Sequence, residues 1–210
     1  MEIQRSRMKI YFVTHPQVTI EPTIPVREWP LSDIGRERMA SMLKQPWVQC
    51  IGFIGSSQER KALDAAEILS RNINVLVRVF VDLGENDRTS TGYLAPDEFQ
   101  FTADLFFAHP DESVRGWEPA RTAQRRIIEA VEDVVAAADG CGGDVAILAH
   151  GGVGALLLCH LKAQPISRRE DQPGAGGGNY FVFEARSNAL LQGWRPIEQI
   201  DRGLGATIEK

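Results

Sequence analysis

Short apolar runs alternate along this chain with longer segments in which apolar residues recur every three or four positions. The first run, Lys9–Val13, reads as a buried strand and stops at Thr14-His15-Pro16. Residues 14–30 form a proline-rich loop, with Pro16, Pro22, Pro25 and Pro30. Residues 31–45 (LSDIGRERMASMLKQ) predict a helix with Ser32 as N-cap and Ile34, Met39, Met42 and Leu43 on its apolar face. Residues 50–56 (CIGFIGS) predict a second buried strand. Residues 57–72 predict a helix with Ala62, Ala66, Ile68 and Leu69 turned inward, and Ser56-Ser57-Gln58-Glu59 is a capping signal before it. A third strand is expected over 75–83 (VLVRVFVDL). Residues 84–117 are irregular, apart from a helix in 96–108. The longest helix runs from Pro119 to Ala138, with Ile127, Ile128, Val131, Val134 and Val135 at helical spacing. A strand over 144–150 (DVAILAH), a helix over 152–163 and a glycine-rich loop, PGAGGG, come next. The chain then forms a hairpin or meander over 179–185 and 188–194.

Strands alternating with helices favour a parallel sheet covered by helices on both faces. No internal repeat or linker divides the pattern. The expectation is one domain over 9–210 behind a loose leader of residues 1–8, with Met8 an alternative start. The glycine loop is better suited to a site mouth than to a core.

Composition narrows the function classes. At 210 residues, 43% hydrophobic and 24% charged, the chain can bury one substantial core. A net charge of −5 provides no basic footprint for nucleic acid or an anionic membrane. The apolar stretch around residues 145–161 is interrupted by two histidines and three glycines, which argues against a membrane span. Cys50, Cys141 and Cys159 have no paired spacing, so the expectation is a reducing, cytoplasmic setting without disulfides or a zinc motif.

The chemistry rests on a repeated pattern. Both His15 and His150 end an apolar strand. In an open α/β sheet the carboxyl ends of the strands form the ligand-binding edge. The second strand brings Ser57, Arg60 and Lys61 to the same edge at a helix start, where free N–H groups favour anions. The third brings Glu85. His109 and His160 are assigned to a loop and a helix end, and Arg125 and Arg126 to a solvated face.

At these residues the sequence resembles the histidine phosphatase superfamily, the phosphoglycerate mutase-like proteins, from about Met8 to Ile197. The matching elements are Thr14-His15-Pro16, Pro30-Leu31-Ser32-Asp33-Ile34-Gly35, Ser57 to Ala66, Leu83-Gly84-Glu85 and His150-Gly151-Gly152. The resemblance implies a three-layer α/β/α sandwich with a six-stranded, mostly parallel sheet and one antiparallel strand. It implies that His15 accepts the phosphoryl group, His150 helps hold it and Glu85 protonates the leaving oxygen. Lys61, Arg60, Thr14, Ser57 and Gly151 are the expected phosphate-binding positions. It calls for no metal and no cofactor, and for a small phosphorylated molecule as partner; a homodimer is one possible assembly.

Three departures stand out. The arginine expected before the nucleophile is Thr14, a second pocket arginine is Lys61, and Pro16 replaces a glycine and its N–H. Arg27, Arg60 and Arg88 are the candidates to restore the charge. Two readings stay open: a hydrolase or phosphotransferase acting through phosphohistidine, and a relative that binds a phosphorylated ligand or partner without turnover. A metal hydrolase is weakly supported, because no compact carboxylate–histidine motif occurs. Residues 89–118 are expected to shape the leaving-group side of the pocket, with most of their aromatic side chains serving as core or packing residues.

Overall fold

The computed structural model describes residues 8–201. Residues 1–7 of the expected leader lie outside the described residues. Met8 packs against the core, and its carbonyl accepts a hydrogen bond from the Ala185 N–H.

The strands are β1 (Lys9–Thr14), β2 (Ile51–Ser56), β3 (Val77–Val79), β4 (Asp144–Ala149), β5 (Asn179–Glu184) and β6 (Leu190–Pro196). The helices are α1 (Asp33–Met42), α2 (Arg60–Ile73), α3 (Pro96–Ala108), α4 (Ala120–Ala138) and α5 (Gly151–Leu161). The strands form one sheet in the order β3-β2-β4-β1-β5-β6. β1, β2, β3 and β4 pair in parallel; β5 runs antiparallel to both β1 and β6. Five strands therefore share one direction and β5 alone opposes it.

Alternating strand residues face opposite layers. Ile10, Phe12, Val145, Ile147, Phe181 and Phe183 point to the layer built by α4 and α5, meeting Ile127, Val131, Val134, Val153 and Leu157. Tyr11, Val13, Ala146, Leu148, Tyr180 and Val182 point to the other, meeting Met39 and Met42 of α1 and Ala65, Ala66 and Leu69 of α2. With both faces covered, the apolar runs of β1 and β4 are buried almost throughout.

The departures from the pattern have local causes. Ser32 caps α1 as expected, its Oγ accepting from the Gly35 N–H at 3.1 Å. Ile34, however, is 60% exposed. Gly35 occupies the inner face instead, because a Cβ there would lie 2.2 Å from the Gln17 carbonyl oxygen. The strand expected over 75–83 shrinks to three residues. It lies at the sheet edge, paired on one side only, with Leu76 87% exposed, and the chain turns into a 3-10 segment at Val81–Leu83 that buries Leu83. α2 begins at Arg60, with Glu59 as N-cap and no side-chain cap. The Ser56–Glu59 signal is thus not a capping box, and both Ser57 and Glu59 have other partners.

Candidate active site

Thr14 of β1 and Ala149 of β4 are direct register partners. The next residue of each strand is a histidine, so the two imidazoles leave the sheet side by side. The His15 N–H donates to the Ala149 carbonyl at 3.1 Å. The ring centroids are 5.2 Å apart, edge to face.

The His15 Nδ1 lies 2.9 Å from the Pro16 carbonyl oxygen. A carbonyl can only accept, so Nδ1 carries the hydrogen and the Nε2 lone pair is free. Burial, then the Lys61 ammonium, pushes the His15 pKa down to about 4. His150 is fully buried, and burial pushes its pKa down to about 3, with nearby Glu59 acting in the opposite direction. Both rings are neutral at pH 7. The His150 Nε2 lies 2.9 Å from the Ser57 Oγ, and its Nδ1 has no partner among the described residues.

Two carboxylates organise the rest of the site. Glu85 sits on the N-terminus of α5. Its Oε2 accepts from the Gly152 N–H at 3.0 Å, and its Oε1 accepts from Val153 at 2.9 Å and from its own neighbour Asn86 at 3.1 Å. The N-terminus of α5 is thus filled by the protein's own carboxylate. Glu59 links the remaining groups. Its Oε1 accepts from the Glu85 N–H at 2.9 Å and lies 3.4 Å from the His150 Nε2; its Oε2 meets the Lys61 Nζ at 2.5 Å. Burial would raise the Glu59 pKa, but His150 and Lys61 hold it well below the usual carboxylate range.

The expected phosphate ligands therefore divide. Lys61 turns inward, 3% exposed, but its ammonium is shared between Glu59 and the Val26 carbonyl. Arg60 turns away: its i+4 neighbour Asp64 accepts from it at 2.8 Å, and the arginine lines neither cavity described below. The Thr14 hydroxyl is buried, donating to Gln172 Oε1 at 2.7 Å and accepting from the Asn179 N–H at 3.0 Å. Ser57 holds His150, and Gly151 makes room for Gln172, whose Nε2 lies 2.1 Å from where a Cβ would stand. Of the three candidate arginines, Arg88 reaches the site. Its guanidinium lies 4.0 Å from Glu85 Oε2 and over the rings of Phe99 and Trp117, at 5.1 and 5.6 Å. Arg27 is exposed, beside Glu28, and borders the larger of the two cavities described below but not the one that holds His15.

Two cavities open here. One of about 430 Å³ contains His15, Glu85, Arg88, Gly151 and the glycines at 174, 176 and 177. The other, of about 690 Å³, contains Glu59, Glu85, Asn86, Arg88 and Arg126. The glycine loop lies at the mouth as expected and also grips the histidine: the Gly178 N–H donates to the His15 carbonyl at 3.0 Å. Gly177, with φ +69°, would bring a Cβ to 2.2 Å from that same oxygen. Phe106, Phe107 and Trp117 are 2–6% exposed and pack with Ala155 and Leu156, so these aromatics are core first and cavity wall second.

Arg126 is not on a solvated face. It donates to the carbonyls of Asp82, Gly84 and Glu85, at 2.7, 2.9 and 3.2 Å, and pairs with Glu118. It holds the segment that carries Glu85. His109 and His160 are exposed and take no part. Among the described residues no cluster of His, Cys, Asp and Glu could hold a metal ion, and no helix is long and apolar enough to cross a membrane.

An open α/β sheet with paired histidines at its carboxyl edge defines a class of phosphoryl-handling proteins, and the comparisons agree. The chain belongs to the histidine phosphatase superfamily (branch 1), whose pattern matches residues 10–187. No curated protein matches it. Among solved structures it resembles YhfR of Bacillus stearothermophilus, with 21% identity over 88% of this chain and 95% of that one and a TM-score of 0.70. It also resembles a mycobacterial glucosyl-3-phosphoglycerate phosphatase, with 22% identity over 90% and 96% of the two chains and a TM-score of 0.68. A phosphoglycerate mutase from Bacillus anthracis str. Sterne shares 14% identity over 90% and 93%, with a TM-score of 0.62. At these identities the likeness is one of fold.

Proposed function

We propose that the protein is a phosphomonoester hydrolase or phosphotransferase that acts through a phosphohistidine on His15. The observation that carries this reading is the state of that ring: neutral, anchored through Nδ1 to the Pro16 carbonyl, with Nε2 free, at the wall of a cavity and in edge-to-face contact with the buried His150 ring. The Nε2 lone pair forms the N–P bond as the P–O ester bond breaks. Glu85 passes a proton to the departing alkoxide. In the hydrolase a water then attacks phosphorus, releases His15 and returns a proton to Glu85. Arg88 supplies the positive charge that Thr14 lacks, and Lys61 adds what Glu59 leaves it. This chemistry requires no metal ion and no cofactor.

The short Glu59–Lys61 contact favours a second reading, in which a small phosphorylated molecule binds without turnover, because the lysine's charge is largely answered within the protein. One experiment separates the two. The protein is incubated with an aryl phosphate and quenched in alkali, where phosphohistidine survives. Acid-labile phosphate on the wild type, absent from His15→Ala together with hydrolysis, is the expected result. Phosphate binding without trapping or turnover would establish the second reading instead.

A further inference from the structure

Asn179 opens β5 and is 2% exposed. One end of its side-chain amide lies 3.1 Å from the Pro173 carbonyl oxygen and 3.2 Å from that of Gly177. Carbonyls only accept, so this end is the nitrogen. The same nitrogen lies 3.2 Å from one end of the Gln172 amide, which must then be the oxygen. The Thr14 hydroxyl donates to that oxygen at 2.7 Å. Two buried neighbours therefore set the orientation of the Gln172 amide.

The other end of the amide faces away from both. Its Nε2 lies over Gly151, 2.1 Å from where a Cβ would stand, and it fits there because residue 151 has none. Its two hydrogens meet no acceptor among the described residues, and the nitrogen keeps contact with solvent. Gln172, Gly151 and His15 border the same cavity of about 430 Å³. Thr14 precedes His15 and Gly151 follows His150, so one amide bridges the two strand ends that carry the paired imidazoles. The Lys61 ammonium is largely answered by Glu59, whereas these two hydrogens are unspent. An oxyanion is a stronger acceptor for them than water, and a donor held in place before binding has little freedom left to lose.

We infer that Gln172 is a phosphoryl-binding residue, its Nε2 donating to an oxygen of the group held at His15. The inference rests on a phosphoryl group binding beside His15, as both readings above have it, and does not require turnover.

The test separates the donor from the scaffold. Gln172→Glu keeps the oxygen that Thr14 and Asn179 use and replaces the donor by a second oxygen. Gln172→Met removes both at similar volume. Inorganic phosphate is titrated calorimetrically into wild type and the two variants. The Gln172 side-chain NH2 signals, identified by their absence from Gln172→Met, are followed by NMR in the wild type. The expected result is a shift of these signals that saturates with the calorimetric isotherm. Binding should weaken about ten- to a hundredfold in Gln172→Met, the scale of one charge-assisted hydrogen bond, and further in Gln172→Glu, whose carboxylate faces the anion. A glutamine that serves only the scaffold predicts the reverse order, because glutamate keeps the scaffold contacts. The reverse order, equal losses, an unmoved NH2 signal or no phosphate binding to the wild type overturns the inference. Trapping of phosphohistidine is run in parallel. Trapping with an unmoved signal leaves the hydrolase reading standing without Gln172; a moving signal and the expected order of variants without trapping keep Gln172 and remove the hydrolase reading.

Discussion

Glu59→Gln tests what governs anion affinity at this site. The Glu59 side chain, 13% exposed, touches His150, Lys61 and the Glu85 N–H. A phosphoryl group between the two imidazoles would lie roughly 5–6 Å from the Glu59 carboxylate, where one unit of like charge costs about 3 kcal/mol at an effective dielectric near 20. Residual solvent access reduces this, so removing the charge should tighten phosphate binding by ~1–3 kcal/mol, or about five- to 150-fold. The glutamine oxygen can still accept from Glu85, so the scaffold is kept. The cost is a buried ammonium without its counter-charge, and stability should fall by ~3 kcal/mol or somewhat less, given the Val26 carbonyl that remains. Calorimetric titration with inorganic phosphate at low and high salt reads the first effect, and urea unfolding reads the second. A folded Glu59→Gln protein that binds phosphate no more tightly than wild type would refute the reasoning.

Two further outcomes follow from the same geometry. Arg126→Ala should release the segment carrying Glu85 and lower turnover about tenfold or more, with a stability loss of ~1–3 kcal/mol; unchanged kcat with lowered stability would reduce Arg126 to a structural role. The two histidines have folded-state pKa values near 4 and 3, below the ordinary value, so between about pH 6.5 and 4 the unfolded chain binds more protons than the folded one. Stability should therefore fall as pH drops through that window, by up to several kcal/mol, and His150→Gln should flatten the curve; a curve unaltered by the substitution would show that His150 is not buried neutral.

The paired histidines were legible because each closes an apolar run, and a buried strand that ends on a polar ring marks the sheet edge. That they meet at one site was expected from their matched positions and from the family resemblance; the strand order that brings them together, with β1 between β4 and β5 rather than beside β2, is not set by the apolar pattern. Lys61 was placed correctly in the chain, but its partner was hidden. Glu59 stood in what looked like a capping signal, and its bond to the Glu85 N–H spans 26 residues. Arg126 occupied a charged helix face, and its bond to the Glu85 carbonyl spans 41. Charged side chains on a helix have no periodicity that separates a solvated arginine from one reaching three carbonyls. The third strand failed for the opposite reason: its apolar pattern was strong, but a sheet edge does not have to bury it.

The position of β1 also bears on how the protein is made. Both its neighbours, β4 and β5, come from far down the chain; the Lys9 N–H finds its partner in the Asp144 side chain, 135 residues later. During synthesis the strand that carries His15 has no sheet neighbour until β4 has left the ribosome. The glycine loop that holds the His15 carbonyl arrives later still. Such long-range pairing is slow to form and leaves an apolar strand uncovered meanwhile. His15 is translated well before the elements that come to surround it.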